Sequence, residues 1–202
     1  MQLSIMGIQG CGKGTQSKRL VEKYKIKHLS TGDLFRAHIQ NNTETGKKIK
    51  QYLNDGELVP DSIVFDVLEK EIDGKGFILD GFPRNVSQAK YLLSKYPLDK
   101  VIYLNLDKDL AVARISARQR CENCNIDYSL INKPKKENIC NKCSSALSRR
   151  ADDEPDTVNI RLSKYFEKTM VLTDFFKKKG LLLSVDANQS PDLIFEQIIK
   201  GL

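Results

Sequence analysis

The sequence has few histidines, no long apolar run and no internal repeat. His28 and His38 are too few for a histidine-rich metal site, and we interpret them as ordinary strand and helix residues. No apolar stretch approaches the roughly 18 residues of a membrane span. Residues 1–20 contain Gly-Lys-Gly-Thr where a secretory signal would be apolar. These features predict a cytoplasmic protein that does not bind membranes.

Cysteine is scarce and its number is odd, five in all, which argues against a complete disulfide framework. Four of the five form the pattern Cys121-x2-Cys124 and Cys140-x2-Cys143, whose spacing is typical of a zinc ribbon. Four thiolates complete a closed tetrahedron, so the metal would be structural. Zinc is favoured over iron, and disulfides or free thiols are the alternatives. Cys11 is interpreted as a small residue in a turn.

Positive charge exceeds negative charge, with 33 Lys and Arg against 26 Asp and Glu, giving a net charge of +7. This excess favours an anionic ligand such as a nucleotide or a nucleic acid. A generally lysine-rich proteome would explain it equally well. The length of 202 residues exceeds the usual domain size of about 150, which favours one core with an insertion.

Short apolar runs alternate with helical patterns, which predicts an α/β fold with a largely parallel sheet. The predicted strands are residues 3–6, 26–29, 77–80, 101–106 and 181–185. The predicted helices are residues 15–24, about 30–39, 62–72 and 109–118, and a last one that opens at Ser190-Pro191. Residues 119–154 break this alternation, have no convincing helix and contain the four spaced cysteines. We interpret them as an inserted module.

The segment from Gly7 to Thr15 lies between a predicted strand and a predicted helix, the context of a phosphate-binding loop. Its glycines allow backbone amides to face phosphate oxygens, and Lys13 adds a positive charge. The strict motif has Ser or Thr directly after the lysine, whereas here Gly14 precedes Thr15. A glycine-rich turn without a ligand is the alternative.

A carboxylate and several arginines complete the set of candidate functional residues. Asp80 ends a buried strand, where it can hold Mg²⁺ through water; the alternative is a residue that caps a turn. The arginines are Arg36, Arg84, Arg114, Arg118, Arg150 and Arg161. Any one of them alone would be an ordinary surface residue. Those that flank the insert indicate a movable flap that brings positive charge to phosphates, as phosphoryl transfer requires.

Four motifs together resemble the adenylate kinase family. They are the glycine-rich loop, Ser30-Thr31-Gly32-Asp33 with Arg36, Asp80-Gly81-Phe82-Pro83-Arg84 with Gln88, and Arg150-Ala151-Asp152-Asp153 with Arg161. The resemblance covers nearly the whole chain, and the cysteine insert is similar to the long zinc-containing lid of bacterial members. It implies a P-loop nucleotide-binding fold with a central parallel five-stranded sheet. The implied divisions are a core (1–29, 60–116 and 155–202), a helical AMP-binding arm (30–59) and a zinc-binding lid (117–154).

The resemblance also implies roles for individual residues. Catalytic roles fall to Lys13, Arg84, Arg118, Arg150 and Arg161. ATP contacts fall to Gly10, Cys11, Gly12, Lys13, Gly14, Thr15, Arg114, Arg118, Asp127, Tyr128 and the backbone near Gln189. AMP contacts fall to Thr31, Arg36, Glu57, Leu58, Val59, Gly81, Phe82, Pro83, Arg84, Gln88, Arg150 and Arg161. Two positions depart from many relatives: Pro60 replaces a polar residue, and Ala151 a basic one.

The implied activity is reversible transfer of the terminal phosphoryl of MgATP to AMP, giving two ADP, by a monomeric enzyme with a structural Zn²⁺. A GTP-dependent AMP kinase is one rival interpretation. A nucleic-acid-binding protein is another, but Tyr128 is the insert's only aromatic residue, so a platform for stacked bases is missing. A P-loop scaffold without catalysis is the third, and it is disfavoured because Lys13, Asp80 and the arginines are all present.

Overall fold

Strands and helices alternate along the chain. The computed structural model describes residues 1–202 apart from the side chain of Ala151. The strands are β1 (Gln2–Gly7), β2 (Lys27–Ser30), β3 (Phe77–Asp80), β4 (Lys100–Asn105), β5 (Gln119–Cys121), β6 (Ile126–Tyr128) and β7 (Leu182–Asp186). The helices are α1 (Lys13–Tyr24), α2 (Thr31–Gln40), α3 (Glu44–Asn54), α4 (Asp61–Glu71), α5 (Val86–Lys95), α6 (Lys108–Ser116), α7 (Pro155–Lys164), α8 (Leu172–Lys178) and α9 (Pro191–Gly201).

Five strands form one parallel sheet in the order β2-β3-β1-β4-β7, which confirms the predicted fold class. All four residues of β3 are buried, because helices cover both faces of the sheet. One apolar cluster includes Leu3, Ile5 and Ile102 with residues of α1, α6, α7 and α9. The other includes Leu79 and Val101 with residues of α4, α5 and α8. In such sheets ligands bind at the carboxyl ends of the strands.

The five predicted strands of this sheet are confirmed, with ends that differ by at most one residue. Ser30 and Ser190 cap α2 and α9, each accepting a hydrogen bond from an amide in the first turn. The apolar pattern did not reveal α3, α5, α7 and α8. Of these helices, α3 buries only Gly46 and Ile49. A helical arm at this position was implied by the family resemblance alone.

The cysteine insert, residues 117–154, contains a small antiparallel sheet of β5 and β6. A further antiparallel bridge joins Arg120 to Ser148, and a single 3₁₀ turn spans Ala151–Asp153. The buried residues of its apolar cluster are Cys121, Tyr128 and Cys140. Within the part of the chain that the structure describes, every helix is too short or too polar to cross a membrane.

Candidate active site

The turn between β1 and α1 directs backbone amides into a cleft. Gly10 and Gly12 have φ angles of +82° and +95°, a region that favours glycine, and a Cβ at Gly10 would lie 2.9 Å from the Ala111 carbonyl oxygen. No side chain that the structure describes caps α1, which begins at Lys13. The first amides of α1 therefore remain available to oxygen atoms of an anion.

Lys13 lies folded over this turn. Its Nζ donates hydrogen bonds to the carbonyl oxygens of Gly7 at 2.8 Å and Ile8 at 3.1 Å. Both acceptors are neutral, so they orient the ammonium group without cancelling its charge. The Cys11 thiol lies 3.6 Å from Nζ, and burial raises the pKa of this thiol despite the nearby lysine. Cys11 is therefore held in the uncharged, unreactive form.

Asp80 lies beside the phosphate-binding turn, at the carboxyl end of β3. A Cβ on Gly14 would make an ordinary contact, 3.6 Å, with the Asp80 Oδ2. The same oxygen lies 3.3 Å from Nε2 of His28 on the neighbouring strand β2. His28 was predicted to be an ordinary strand residue, and this prediction did not include a contact with Asp80. Its place near the carboxyl end of a strand, where ligands bind, was the available signal.

Arginines from separate elements converge on the same cleft, which has a volume of about 550 Å³. Ten Lys and Arg residues line it, against five Asp and Glu residues. The buried Nε atoms of Arg36, Arg114 and Arg150 have no hydrogen-bond partner among the described residues. Burial, together with the nearby Arg161, lowers the pKa of Arg84 to about 10. Such a site fits a ligand with several anionic oxygens.

Two aspartates orient the arginines on the side of the cleft near α7. Arg118 pairs with Asp153, whose carboxylate is fully buried, through a bond from Nε of 2.7 Å. Arg161 Nη1 lies 3.0 Å from Asp152 and 3.1 Å from Asp153. Burial would raise the pKa of Asp152, but the charge of Arg161 lowers it overall. The two carboxylates therefore fix the positions of the guanidinium groups.

A further buried arginine, Arg120, connects the insert to α2. Its Nη2 lies 2.9 Å from Asp33, which also pairs with Arg36 at 2.7 Å. Within the insert, Arg120 contacts Asn125 at 2.8 Å and Asp127 at 3.4 Å. Burial would raise the pKa of Asp33, but the adjacent guanidinium groups hold it well below its usual range. No sequence motif identified Arg120 as a candidate functional residue.

The sulfurs of Cys121, Cys124, Cys140 and Cys143 lie within 4.8 Å of one another. The Sγ atoms of Cys121 and Cys143 are 3.5 Å apart, too far for a disulfide, which needs about 2.05 Å. Four sulfurs at about 2.3 Å from one Zn²⁺ would be separated by about 3.8 Å, so the cluster fits this ion. Hydrogen bonds from Ser145 lower the pKa of Cys143 to about 6, whereas burial raises the pKa of Cys121 and the contact with Cys143 raises that of Cys124. The spacing of the sulfurs therefore carries the argument for a metal site.

Comparison with known proteins decides the family. The family model "Adenylate kinase" matches residues 5–181. An adenylate kinase from Clostridioides difficile is 41% identical, and the alignment covers 100% of this chain and 98% of that protein. Another from Lachnospira eligens is 42% identical, with complete coverage of both chains. The chain belongs to the adenylate kinase family. The family match includes the phosphate-binding turn, the helical arm and the whole cysteine insert.

Nearly all residues assigned by resemblance to adenylate kinases line the cleft. Those assigned to ATP are Gly10, Cys11, Gly12, Lys13, Gly14, Thr15, Arg114, Arg118 and Asp127. Those assigned to AMP are Thr31, Arg36, Glu57, Leu58, Val59, Gly81, Phe82, Pro83, Arg84, Gln88, Arg150 and Arg161. Asp80 lines the same cleft. The two sets of predicted residues therefore share a single cleft.

Tyr128 and Gln189 do not line the described cleft. The Tyr128 hydroxyl accepts a hydrogen bond from the Asn141 amide at 2.8 Å and lies 3.4 Å from Cys140 Sγ. Its ring is thus part of the cysteine cluster, and the bond from its hydroxyl lowers the pKa of Cys140. The Gln189 side chain bonds to Asp186 at 3.1 Å. The ATP contacts implied for Tyr128 and for the backbone near Gln189 stay predictions.

Proposed function

We propose that this member of the adenylate kinase family transfers the γ-phosphoryl of MgATP to AMP, reversibly, giving two ADP. The observation that carries the proposal is one cleft that is lined by the phosphate-binding turn, by Asp80 and by a group of largely buried arginines. The turn suits a polyphosphate donor, and the arginines suit a second, phosphorylated acceptor. Both relatives cited above are named adenylate kinase, which supports these substrates.

The donor phosphates would lie on the amides of residues 10–15, with Lys13 against the terminal phosphates. Lys13 would then exchange its present carbonyl acceptors for phosphate oxygens, at little cost in hydrogen bonds. Asp80 would hold the Mg²⁺ of MgATP through water. When bound, this ion neutralises charge on the phosphates. Arg114, whose Nη2 donates to the Ala187 carbonyl oxygen at 3.3 Å, would stack on the donor base.

The acceptor would lie between α2 and the turn after β3. Thr31 Oγ1 donates to the Gly81 carbonyl oxygen at 3.1 Å. Gln88 accepts from the Arg84 amide at 2.7 Å and donates to Asp61 at 2.7 Å. These bonds fix both side chains, so adenine would meet a preformed surface. Arg36 and Arg84 would hold the AMP phosphate.

Phosphoryl transfer depends on positioning of the two substrates and on stabilisation of charge more than on covalent catalysis. Charge on the three peripheral oxygens of the transferred group would face Arg118, Arg150 and Arg161. The carboxylates of Asp152 and Asp153 already orient Arg161. Preorganised groups of this kind cost no reorganisation at the moment of reaction. We assign no general base.

Water must be excluded, because it would compete with AMP for the phosphoryl group. We propose that the cysteine insert (117–154) acts as the lid, residues 30–59 as the AMP-binding arm, and the remainder as the core. A Zn²⁺ ion on the four cysteines would be structural, since four thiolates leave no coordination position open. Thiolate metal sites suit a reducing compartment. This agrees with a cytoplasmic location, where we propose that the enzyme acts as a monomer.

Phosphorus NMR of the purified protein with ATP, Mg²⁺ and AMP tests the proposal. We expect ADP to form with AMP but slowly or not at all with CMP, UMP or GMP. GTP in place of ATP tests the rival donor. Lys13→Ala should lower turnover by about 10²–10³-fold, the scale of losing one preorganised donor. The matched control, Lys23→Ala, alters an exposed residue of the same helix and should retain activity. A folded, metal-loaded protein that forms no ADP would refute the kinase proposal.

A further inference from the structure

The contact between His28 and Asp80 has no role in the function proposed so far. The two residues lie on neighbouring parallel strands, where Ser30 of β2 pairs with Asp80 of β3 and His28 pairs with Ile78. The imidazole therefore reaches along the sheet edge to the carboxylate, where Nε2 lies 3.3 Å from Oδ2. The side chains are only 19% and 12% exposed, so bulk water competes weakly for this bond.

The chemistry of the pair fixes the direction of the hydrogen bond. An ionised carboxylate can only accept, so the proton lies on Nε2 of His28 and is donated to Asp80. Among the described residues, His28 provides the single hydrogen bond to this carboxylate. Thr31 holds only the Asp80 backbone, through a bond of 3.3 Å to the carbonyl oxygen.

An aspartate without such a partner rotates readily about its last side-chain torsion, which has broad energy minima. A bond at Oδ2 restricts this rotation and leaves Oδ1 free to accept from water on a cation. Histidine and carboxylate pairs orient metal ligands in this way in other proteins, and losing an orienting partner there typically lowers metal affinity by about 10–100-fold.

We propose that His28 is a positioning residue that fixes the Asp80 carboxylate for the hydrated Mg²⁺ of MgATP. This inference rests on the role that the proposed function gives to Asp80. His28 itself does not touch the nucleotide. It acts through Asp80, so its loss changes the dependence on Mg²⁺ rather than the affinity for ATP alone.

Three substitutions separate this role from simple packing. His28→Gln retains an N–H donor near the position of Nε2, whereas His28→Leu removes the donor. His28→Thr also removes it, with a β-branched side chain that suits a strand but is too short to reach Asp80. His38→Gln is the matched control, because His38 lies on α2 and contacts Thr43, 2.9 Å from its Nδ1. Asp80→Asn serves as the reference for loss of the carboxylate.

The readouts are ATP affinity by calorimetry, with and without Mg²⁺, and turnover as a function of Mg²⁺ concentration. We expect His28→Leu and His28→Thr to need about 10-fold more Mg²⁺ for half-maximal turnover. Their ATP affinity without Mg²⁺ and their turnover at saturating Mg²⁺ should stay near the values of the unsubstituted protein. His28→Gln and His38→Gln should behave like the unsubstituted protein throughout.

Each contrary result has a distinct meaning. If Asp80→Asn leaves the Mg²⁺ dependence unchanged, the proposed role of Asp80 fails, and this inference with it. If Asp80→Asn changes it but His28→Leu and His28→Thr do not, only the inference is overturned. If His28→Gln raises the Mg²⁺ requirement as much as His28→Leu does, the N–H donor does not determine the Mg²⁺ dependence, and the inference is overturned. Nitrogen NMR of histidine-labelled protein adds a test without substitution at this site: a ring protonated only on Nδ1 would also overturn the inference.

Discussion

The central sheet and the cysteine insert are held together by different forces. In the sheet, β3 is entirely buried, and its residues pack into apolar clusters on both faces. In the insert, the buried residues of the apolar cluster are Cys121, Tyr128 and Cys140. Backbone pairing of β5 with β6, hydrogen bonds to sulfur and charged pairs such as Arg150 with Asp127 supply further cohesion in the insert.

This difference assigns stability to one region and adaptability to the other. Burial of apolar surface is nondirectional and strong, so the sheet can hold its shape without a ligand. A segment with so small an apolar core depends on a metal or on partners outside itself. A segment of this kind suits the lid that we propose, because its movement would leave the packing of the core unchanged.

The largest effect on stability is expected in the sheet. Leu79 is fully buried on β3, and Leu79→Ala should destabilise the protein by about 2–5 kcal/mol, because the lost contacts leave a cavity. At this chain length, each kcal/mol lowers the melting temperature by about 2–4 °C. Circular dichroism on heating measures the change, and atomic absorption should show an unchanged metal content.

Leu130→Ala is the matched control, since this leucine of the insert is 45% exposed. Its melting temperature should stay close to that of the unsubstituted protein. A Leu79→Ala protein that melts normally would contradict the view that apolar packing of the sheet dominates stability.

A smaller and more local effect is expected from the metal cluster. Cys140→Ser removes one of four sulfurs, so metal content should fall well below one ion per chain and the melting temperature should drop by several degrees. Turnover at low temperature should largely persist, because a metal held by four thiolates has no open coordination position and would be structural. A chelator should lower the melting temperature of the unsubstituted protein. It should cause little further decrease in the melting temperature of the Cys140→Ser protein. Loss of turnover in a variant still fully folded at that temperature would refute the structural role.

The sheet was predictable from the sequence because its signals are local. Buried strands such as Phe77–Asp80 are continuous apolar runs, and the caps of α2 and α9 are serines directly before the first turn. The cysteine cluster was predictable for the same reason, because the spacing of the four cysteines is visible in the sequence. Helix α3 was not predicted although Thr43 caps it, because it buries only Gly46 and Ile49 and so adds little apolar surface to the core.

The contacts across the cleft were not predictable in the same way. Arg120 and Asp33 are 87 positions apart, and the pair of His28 and Asp80 is set by strand register. The contact of the Tyr128 hydroxyl with Cys140 Sγ, at 3.4 Å, is likewise set by packing that a motif does not record. The ATP contact that the family resemblance implies for Tyr128 stays a prediction.

The smallest effect is expected where the insert meets the arm. Arg120→Gln removes the 2.9 Å ion pair with Asp33, whose side chain is 46% exposed, so solvent already weakens the pair. If Arg120 connects closure of the insert over ATP with the arm, a nonhydrolysable ATP analogue should strengthen AMP binding. This strengthening should be smaller in Arg120→Gln than in the unsubstituted protein. We expect this coupling to fall about 2–5-fold, which corresponds to about 0.4–1 kcal/mol. Calorimetric titration of AMP with and without the analogue measures it.

Arg149→Gln is the matched control, because Arg149 is an exposed residue of the same insert whose contact, 3.4 Å to the Ser116 carbonyl oxygen, does not cross the cleft. It should leave the coupling unchanged. Equal coupling in Arg120→Gln and Arg149→Gln would mean that any coupling between the insert and the arm does not run through Arg120. A loss of coupling in Arg120→Gln alone would show that charged pairs transmit ligand binding through a region with little apolar core. The physical reason is that a buried guanidinium keeps its carboxylate partners only while the two surfaces stay together.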